Sequence, residues 1–247
     1  MLVEGRGMIA RAFEAVSGLA LPCVVFERSV GNSQTNDESQ YARERLLLLD
    51  ALAHARRNAE ALVYFSGMPI YGDFSVVVTE TTPCRPITRY GRHQAECEEL
   101  IRQSQAPYLI VRLPNVVGPS SNPHQLIPAL VRQIRAGEVR VQQQATRDLI
   151  DVEDVVRLTV RLLQNGWKNE TVIVASGRSI AVPEIVAIAS RLLGAHPRSV
   201  PVTGGNVQRF DVSRLREMVG EVQFDEAYAA NIMHRYLPLI ASAMDRS

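Results

Sequence analysis

Short, continuously apolar runs alternate with amphipathic segments along the first half of the chain. The apolar runs have the length and the β-branched or aromatic content of buried strands, at residues 2–3, 23–26, 61–65 and 108–111. Between them, apolar residues recur at helical spacing over residues 8–16, 38–55 and 90–104. Strands that are apolar throughout are typical of a parallel sheet with helices on both faces. The pattern therefore predicts a doubly wound, mostly parallel α/β sheet.

The pattern changes after Pro119. Helical spacing recurs over residues 125–136, 152–164 and 183–193, with strand-like runs at 139–141 and 171–175 and closing helices around 212–219 and 227–236. We predict that residues 1–119 form a shortened nucleotide-binding domain. Residues 120–247 would form a small C-terminal α/β substrate lobe, interleaved with the first domain. A ligand cleft is expected between them, at the carboxyl ends of the strands.

A glycine turn follows the first predicted strand and opens the first predicted helix. It has the spacing G-x-G-x-x-A, with Gly5, Gly7 and Ala10 at the fixed positions. Glycines at such a turn let the backbone approach a phosphate, and the free N–H groups that begin the helix supply hydrogen-bond donors. This context predicts a Rossmann-like dinucleotide site. The alternative is a tight strand-to-helix turn that binds nothing.

Charge and cysteine content exclude several classes of function. Lys and Arg number 27 against 26 Asp and Glu, so the chain has no basic field for nucleic acid or an anionic membrane. Three dispersed cysteines without a C-x-x-C pair indicate neither a disulfide framework nor a zinc site, and no His-x-x-x-His pair occurs. We therefore expect no metal. The lack of a signal peptide or a membrane-length apolar run predicts a cytoplasmic protein.

Four further segments occur in a recognisable order and spacing: Val63 to Gly72, Pro86 to Gln94, Val111 to Pro119 and Arg147 to Val155. Together they resemble the extended short-chain dehydrogenase/reductases of the nucleotide-sugar epimerase and dehydratase type. The resemblance covers most of the chain. Four ordered motifs are far more specific than the glycine turn alone.

The resemblance implies a site for a nicotinamide cofactor and a nucleotide-linked substrate. It makes Tyr90 the acid/base, with Ser66 and Gln94 at or beside the other two catalytic positions. The implied cofactor contacts are Gly5, Gly7, Met8, Ile9, Arg28, Gln94 and Pro114, and the implied substrate contacts are Tyr71, Asn115, Gln125 and Arg147. The cofactor would be NADP or NAD, with NADP preferred because Arg28 suits a 2′-phosphate. A homodimer through the helices that start near Glu38 and Tyr90 is also implied.

The sequence departs from the family pattern at the catalytic positions. Gln94 replaces the lysine whose cation lowers the pKa of the tyrosine. The motif places Gly67 where a catalytic hydroxyl is usual, and Ser66 is one position early, so strand alternation would turn it to the other face. The first glycine of the full turn pattern is replaced by Glu4, a carboxylate on the pyrophosphate path. Arg147 also has an alternative role, as a surface ion-pair partner of Asp148 or Asp151.

The segment after the glycine helix is shorter than in the family. If residues 23–26 are the second family strand, Glu27 or Arg28 selects the ribose. If they are the fourth strand, much of the adenosine side is missing. We prefer the second assignment, because the loop at Ser29 to Ser33 and the helix after it match that part of the family.

Two hypotheses of function follow. The first is NAD(P)-dependent reduction, epimerisation or dehydration of a nucleotide-activated sugar. The second is a divergent member that has lost redox chemistry. It would act either as a non-redox enzyme of cyclisation or elimination, using Tyr90 and His93, or as a noncatalytic binding or partner protein.

Overall fold

The computed structural model describes residues 1–72 and 76–245 of the 247-residue chain. Its main sheet has five parallel strands in the order β1-β2-β3-β4-β8. They are β1 (Leu2–Gly5), β2 (Cys23–Glu27), β3 (Ala61–Gly67), β4 (Tyr108–Leu113) and β8 (Glu170–Ile173). The predicted mostly parallel sheet is therefore confirmed.

Helices cover both faces of this sheet. One face packs on α1 (Met8–Glu14), α5 (Val152–Gln164) and α7 (Ser213–Val219), around the apolar side chains of Phe13, Val63 and Leu158. The other face packs on α2 (Glu38–Asn58) and α3 (Arg89–Gln103), around Leu48 and Tyr64. Burial on both faces explains why these strands are apolar throughout. None of the described helices combines the length and apolarity that crossing a bilayer requires.

The rest of the second half forms a smaller lobe with its own apolar core. Its strands make two small sheets, one of β5, β7 and β9 and one of β6 and β10. The strands are β5 (Asn115–Val117), β6 (Glu138–Gln142), β7 (Thr146–Asp151), β9 (Ser179–Ala181) and β10 (Arg198–Val202). The helices are α4 (Leu126–Arg135), α6 (Val182–Leu192) and α8 (Tyr228–Met244), and they bury Val131, Ile185 and Met233 against one another. Strand β8 lies in the main sheet although it comes from this half of the sequence.

The position of β1 decides between the two assignments of residues 23–26. In the usual doubly wound order, 3-2-1-4-5-6, the first strand lies between the second and the fourth. Here β1 is an edge strand among the described residues, and the sheet continues from β2 through β3 and β4 to β8. Strand β2 therefore occupies the place of the fourth strand, which confirms the preferred assignment. Within residues 1–72 and 76–245, no strand takes the places of the second and third family strands beside β1.

Candidate functional site

A cavity of about 830 Å³ lies at the carboxyl ends of the parallel strands, between the main sheet and the smaller lobe. Its walls are the glycine turn, the loop after β2, the end of β3, the first turns of α3, the end of β4 and the segment before α4. Nine of the residues predicted from the sequence line it: Gly7, Met8, Ile9, Ser66, Tyr90, Gln94, Pro114, Asn115 and Gln125. The other four predicted residues, Gly5, Arg28, Tyr71 and Arg147, are not among the lining residues.

Tyr90 and Gln94 form one hydrogen-bonded unit on α3. Thr88 caps this helix by accepting a hydrogen bond of 3.0 Å from the Gly91 N–H, and the side chains four residues apart share one face. The Nε2 group of Gln94 donates to the Tyr90 hydroxyl at 3.0 Å. The Oε1 atom of Gln94 is buried without a hydrogen-bond partner among the described residues.

Gly67 leaves the space that Gln94 occupies. A Cβ atom added at Gly67 would lie 3.0 Å from Oε1 and 3.4 Å from Nε2 of Gln94. The backbone of Gly67 is extended, so its lack of a side chain serves packing rather than an unusual dihedral angle. The two departures from the family pattern at positions 67 and 94 are therefore in direct contact.

The environment of Tyr90 keeps its phenol protonated. Burial raises the pKa of Tyr90 strongly, the nearby Glu44 carboxylate raises it further, and the hydrogen bond from Gln94 only partly opposes them. Neither neighbouring basic side chain supplies the missing cation, since Arg92 donates to the Ile87 carbonyl at 3.1 Å and His93 lies 3.2 Å from Glu44. Tyr90 can therefore donate a hydrogen bond, but as a protonated phenol it is not a base at neutral pH.

Behind Tyr90, a buried polar cluster joins α2 to α3. The Glu44 carboxylate accepts hydrogen bonds from the Val30 N–H at 2.8 Å and from the Tyr64 hydroxyl at 3.3 Å, and it lies 3.2 Å from Nε2 of His93. Cys97 Sγ is 3.5 Å from the same nitrogen. No sequence motif predicts this group, because its members come from two helices far apart in the chain. The ligand-type atoms of Glu44, His93 and Cys97 all lie within 4.8 Å of one another.

Ser66 lines the cavity, but it makes no hydrogen bond to Tyr90. Its side chain is buried, and its Oγ atom has no hydrogen-bond partner among the residues that the structure describes. In β3 it lies two residues after Tyr64, on the face that packs on α2 and α3.

Part of the cavity wall is lined by carboxamides, and we call this part the carboxamide end. Asn115 Nδ2 donates to the Asp148 carbonyl and to Gln208 Oε1, both at 3.1 Å. Gln125, Asn206 and Gln208 are the other carboxamides that line the cavity near it. Asn206 and Gln208 were not predicted as site residues, because they belong to no sequence motif and reach the cavity only through the fold.

Arg147 lies just behind this carboxamide end. Its guanidinium donates to the carbonyl oxygens of Thr146 at 2.7 Å and Asn206 at 3.2 Å, and to Gln142 Oε1 at 2.7 Å. Burial lowers the pKa of Arg147. The alternative that it pairs with Asp148 or Asp151 is wrong.

The two aspartates have other partners. The Asp148 carboxylate accepts hydrogen bonds from Ser176, and Asp151 pairs with Arg235 at 3.2 Å. Arg147 therefore keeps its charge without a carboxylate partner from either of these neighbours.

Tyr71 and Arg28 both lie away from the cavity lining. The Tyr71 hydroxyl accepts a hydrogen bond from Arg112 at 2.7 Å and donates to the Thr79 carbonyl at 3.0 Å, so it holds the loop after β3. The guanidinium of Arg28 lies 3.7 Å from Glu4. Because β2 takes the place of the fourth strand, the premise of a ribose-selecting role for Arg28 is removed.

A family model described as the NAD dependent epimerase/dehydratase family matches residues 10–175. Protein YeeZ of Escherichia coli K12 is 26% identical over 202 residues, which are 78% of this chain and 68% of that protein. The dTDP-glucose 4,6-dehydratase of Xanthomonas campestris pv. campestris strain B100 is 28% identical over 193 residues, which cover 69% of this chain and 55% of the dehydratase. This chain therefore matches only about half the length of the dehydratase.

Solved structures of low sequence identity share the fold over nearly the whole chain. The Pseudomonas aeruginosa protein RMD, complexed with NADPH, superposes with a TM-score of 0.78 at 18% identity, covering 100% of this chain and 99% of that one. MoeE5, in complex with UDP-glucuronic acid and NAD, gives a TM-score of 0.73 at 20% identity, with coverage of 94% and 85%. These likenesses confirm the Rossmann-like fold that was predicted.

Proposed function

The chain belongs to the NAD dependent epimerase/dehydratase family, and we propose that it binds a nucleotide-activated sugar beside Tyr90 without transferring a hydride. The observation that carries this proposal is the hydrogen bond of 3.0 Å from Gln94 Nε2 to the Tyr90 hydroxyl. An uncharged amide stands where a lysine would lower the pKa of the phenol. The pair of Tyr90 and Gln94 therefore supplies a hydrogen-bond donor and no base.

Hydride transfer from an alcohol needs a group that removes the hydroxyl proton. Tyr90 is protonated at neutral pH because burial raises its pKa, and position 67 has no hydroxyl that could assist it. In the proposed role, Tyr90 donates a hydrogen bond to an oxygen of the bound sugar. Gln94 Nε2 donates to the Tyr90 oxygen, so the Tyr90 O–H is left to point away from Gln94 and toward the ligand.

The residues present do not fit an extended nicotinamide dinucleotide, the cofactor that the family implies. In the usual arrangement an acidic residue that follows the glycine turn by roughly 20 positions binds the adenosine ribose, at the end of the second strand. That strand has no counterpart here, because β2 fills the fourth position and β1 borders no further strand among residues 1–72 and 76–245. The preference for NADP, which depended on Arg28, is not carried into the proposal.

The carboxamide end of the cavity suits a sugar. Carboxamides both donate and accept hydrogen bonds, as sugar hydroxyls do. Asn115, Gln125, Asn206 and Gln208 line this end, and Arg147 lies behind it without a carboxylate partner in Asp148 or Asp151. A planar guanidinium binds phosphate oxygens through paired hydrogen bonds. We assign the sugar to the carboxamides and the diphosphate to the side of Arg147.

A second candidate function is NAD(P)-dependent modification of the same kind of ligand. The observation in its favour is that the matched structures contain NADPH, or NAD together with a UDP-sugar. It requires a base other than Tyr90 and a dinucleotide held without the second and third strands. These two requirements make it the weaker candidate.

The family resemblance also implies a homodimer, and α2 carries a surface that suits one. Leu46 is 64% exposed and Leu49 is 46% exposed on this helix. Two large apolar side chains one turn apart on an exposed helix face are typical of a helix-packing interface. We assign the dimer contact to this face of α2.

Substitution of Tyr90 tests the proposed ligand contact. Tyr90→Phe should weaken the binding of UDP- or dTDP-sugars by about 3- to 10-fold, the value of one hydrogen bond between uncharged groups. Isothermal titration calorimetry measures the affinity. The matched control is Tyr108→Phe, because Tyr108 begins β4 at the end of the strand that lies away from the cavity. Equal affinities for Tyr90→Phe and the wild type would exclude Tyr90 as a ligand contact.

A further inference from the structure

The glycine turn already holds a carboxylate from its own chain. Glu27 is the last residue of β2, next to the turn in the sheet, and its register partner in β1 is Gly5. Its Oε2 atom accepts a hydrogen bond of 2.9 Å from the Gly7 N–H. The side chain also lines the cavity. A long-range contact therefore uses the N–H group that the sequence pattern assigned to a phosphate.

Both glycines of the turn make room for Glu27. A Cβ atom at Gly7 would lie 2.2 Å from Oε1 and 2.5 Å from Oε2 of Glu27. At Gly5, where φ is +153°, a Cβ atom would lie 2.3 Å from the Glu27 carbonyl oxygen. In a dinucleotide site the second glycine gives the backbone access to the pyrophosphate. Here the same absence of a side chain gives access to Glu27, so the G-x-G spacing is explained without a bound phosphate.

The position of Glu27 is unfavourable for an anionic ligand. A pyrophosphate at Gly7 would compete with the carboxylate for the same N–H group and would lie against its negative charge. Arg11, in the helix that follows the turn, donates to the carbonyl oxygens of Arg6 and Pro119. Burial raises the pKa of Glu27, while the Gly7 hydrogen bond and Arg11 lower it.

We propose that Glu27 is an internal ligand of the glycine turn, which excludes the pyrophosphate of a dinucleotide from this end of the cavity. The ligand group that this end accepts is then a hydrogen-bond donor, such as a pair of hydroxyls, because Glu27 presents acceptor oxygens to the cavity. This inference depends on Gly7 and Glu27 alone. It does not depend on which ligand binds at Tyr90.

The test compares three variants by calorimetric titration with inorganic pyrophosphate and with NADPH. Glu27→Gln removes the charge and keeps an acceptor for Gly7, and Glu27→Ala removes the whole carboxylate. Glu4→Gln is the matched control, since Glu4 is a β1 carboxylate that pairs with Arg28 outside the cavity lining. Thermal melting of each variant verifies that it is folded.

We expect no saturable binding of pyrophosphate or NADPH by the wild type or by Glu4→Gln. In Glu27→Ala the affinity for pyrophosphate should rise by about 10-fold or more, because one unfavourable charge contact is removed. A smaller gain is expected in Glu27→Gln. Tight NADPH binding by the wild type that the Glu27 variants leave unchanged would overturn the inference. So would folded Glu27 variants with no gain for pyrophosphate. Either result would leave the Tyr90→Phe test of sugar binding intact, so the two failures are distinguishable.

Discussion

Gln94 donates a hydrogen bond of 3.0 Å to the Tyr90 hydroxyl, and its side chain occupies space that is open because residue 67 is glycine. A Cβ atom at position 67 would lie 3.0 Å from Gln94 Oε1. The two departures from the family's catalytic pattern are thus one packing arrangement.

This arrangement predicts energetic coupling between positions 67 and 94. Gly67→Ala alone should destabilise the protein by about 1 kcal/mol, because the new methyl group presses on a buried amide. In a Gln94→Ala background the same change should be neutral or stabilising by up to about 0.5 kcal/mol, since Gly67 has an extended backbone that alanine adopts freely. Urea unfolding of the four proteins measures the coupling. Additive effects would show that Gly67 does not make room for Gln94.

Arg147 provides a prediction about the diphosphate. Arg147→Gln should weaken UDP-sugar binding by about 10- to 100-fold, because a charge-assisted hydrogen bond to an oxyanion is lost. It should leave the affinity for a free monosaccharide unchanged. The control is Arg157→Gln, at an exposed position on α5 where the arginine pairs with Asp154. Equal losses for UDP-sugar and monosaccharide would contradict the assigned role.

Asp148 makes stability depend on pH. Burial raises its pKa from 3.8 to about 6, although hydrogen bonds from Ser176 oppose the shift. Between pH 3.8 and pH 6 the native state binds the Asp148 proton more tightly than the unfolded chain does. The contribution of Asp148 to the free energy of unfolding is therefore fully present at low pH and is lost as the pH rises toward 6. The loss is at most about 3 kcal/mol.

Asp148→Asn removes this titration and keeps an oxygen acceptor for Ser176. The variant should gain stability relative to the wild type between pH 4 and pH 7, which denaturant unfolding at several pH values measures. Asp245→Asn, at an exposed residue paired with Arg135, should show no such trend. A difference between Asp148→Asn and the wild type that stays constant over this pH range would refute the assignment.

The exposed leucines of α2 lead us to predict a homodimer with its contact on this helix. Leu46→Glu with Leu49→Glu should convert a dimer to monomers in light scattering after size-exclusion chromatography, because two charges would be buried in an apolar contact. The matched control is Leu239→Glu, because Leu239 is 55% exposed and lies on α8 rather than on α2. A dimer that survives the double substitution would place the interface elsewhere.

The main sheet and its helices could be predicted from the sequence because the strands are continuously apolar and the helices between them have apolar residues at helical spacing. The helix over residues 152–164 begins and ends where it was expected. The strands β5, β7, β9 and β10 were missed, since each is short or polar and depends on partners from distant parts of the chain. Helix α8 extends past the predicted end at Tyr236 to Met244, through Pro238.

Site residues within motifs were easier to predict than those brought together by the fold. Tyr90, Gln94 and Asn115 belong to ordered motifs, and all three line the cavity. The contact of Glu27 with Gly7 joins residues 20 positions apart across two strands, and no local pattern encodes it. The sequence predicts that Tyr90 and Gln94, four residues apart, lie on one face of α3. The packing of Gln94 against Gly67 could not be predicted, because it depends on how α3 is placed against β3.

The central claim is that this protein binds a nucleotide-activated sugar and does not oxidise or reduce it. The most direct measurement incubates the wild type with a panel of UDP- and dTDP-sugars, with NAD and NADP in oxidised and reduced forms. It records nicotinamide absorbance and sugar binding on the same samples. We predict saturable binding of at least one sugar nucleotide with no change in nicotinamide absorbance and no isotope transfer from labelled cofactor to sugar. Hydride transfer to or from any member of the panel, or no binding of any of them, would contradict the claim.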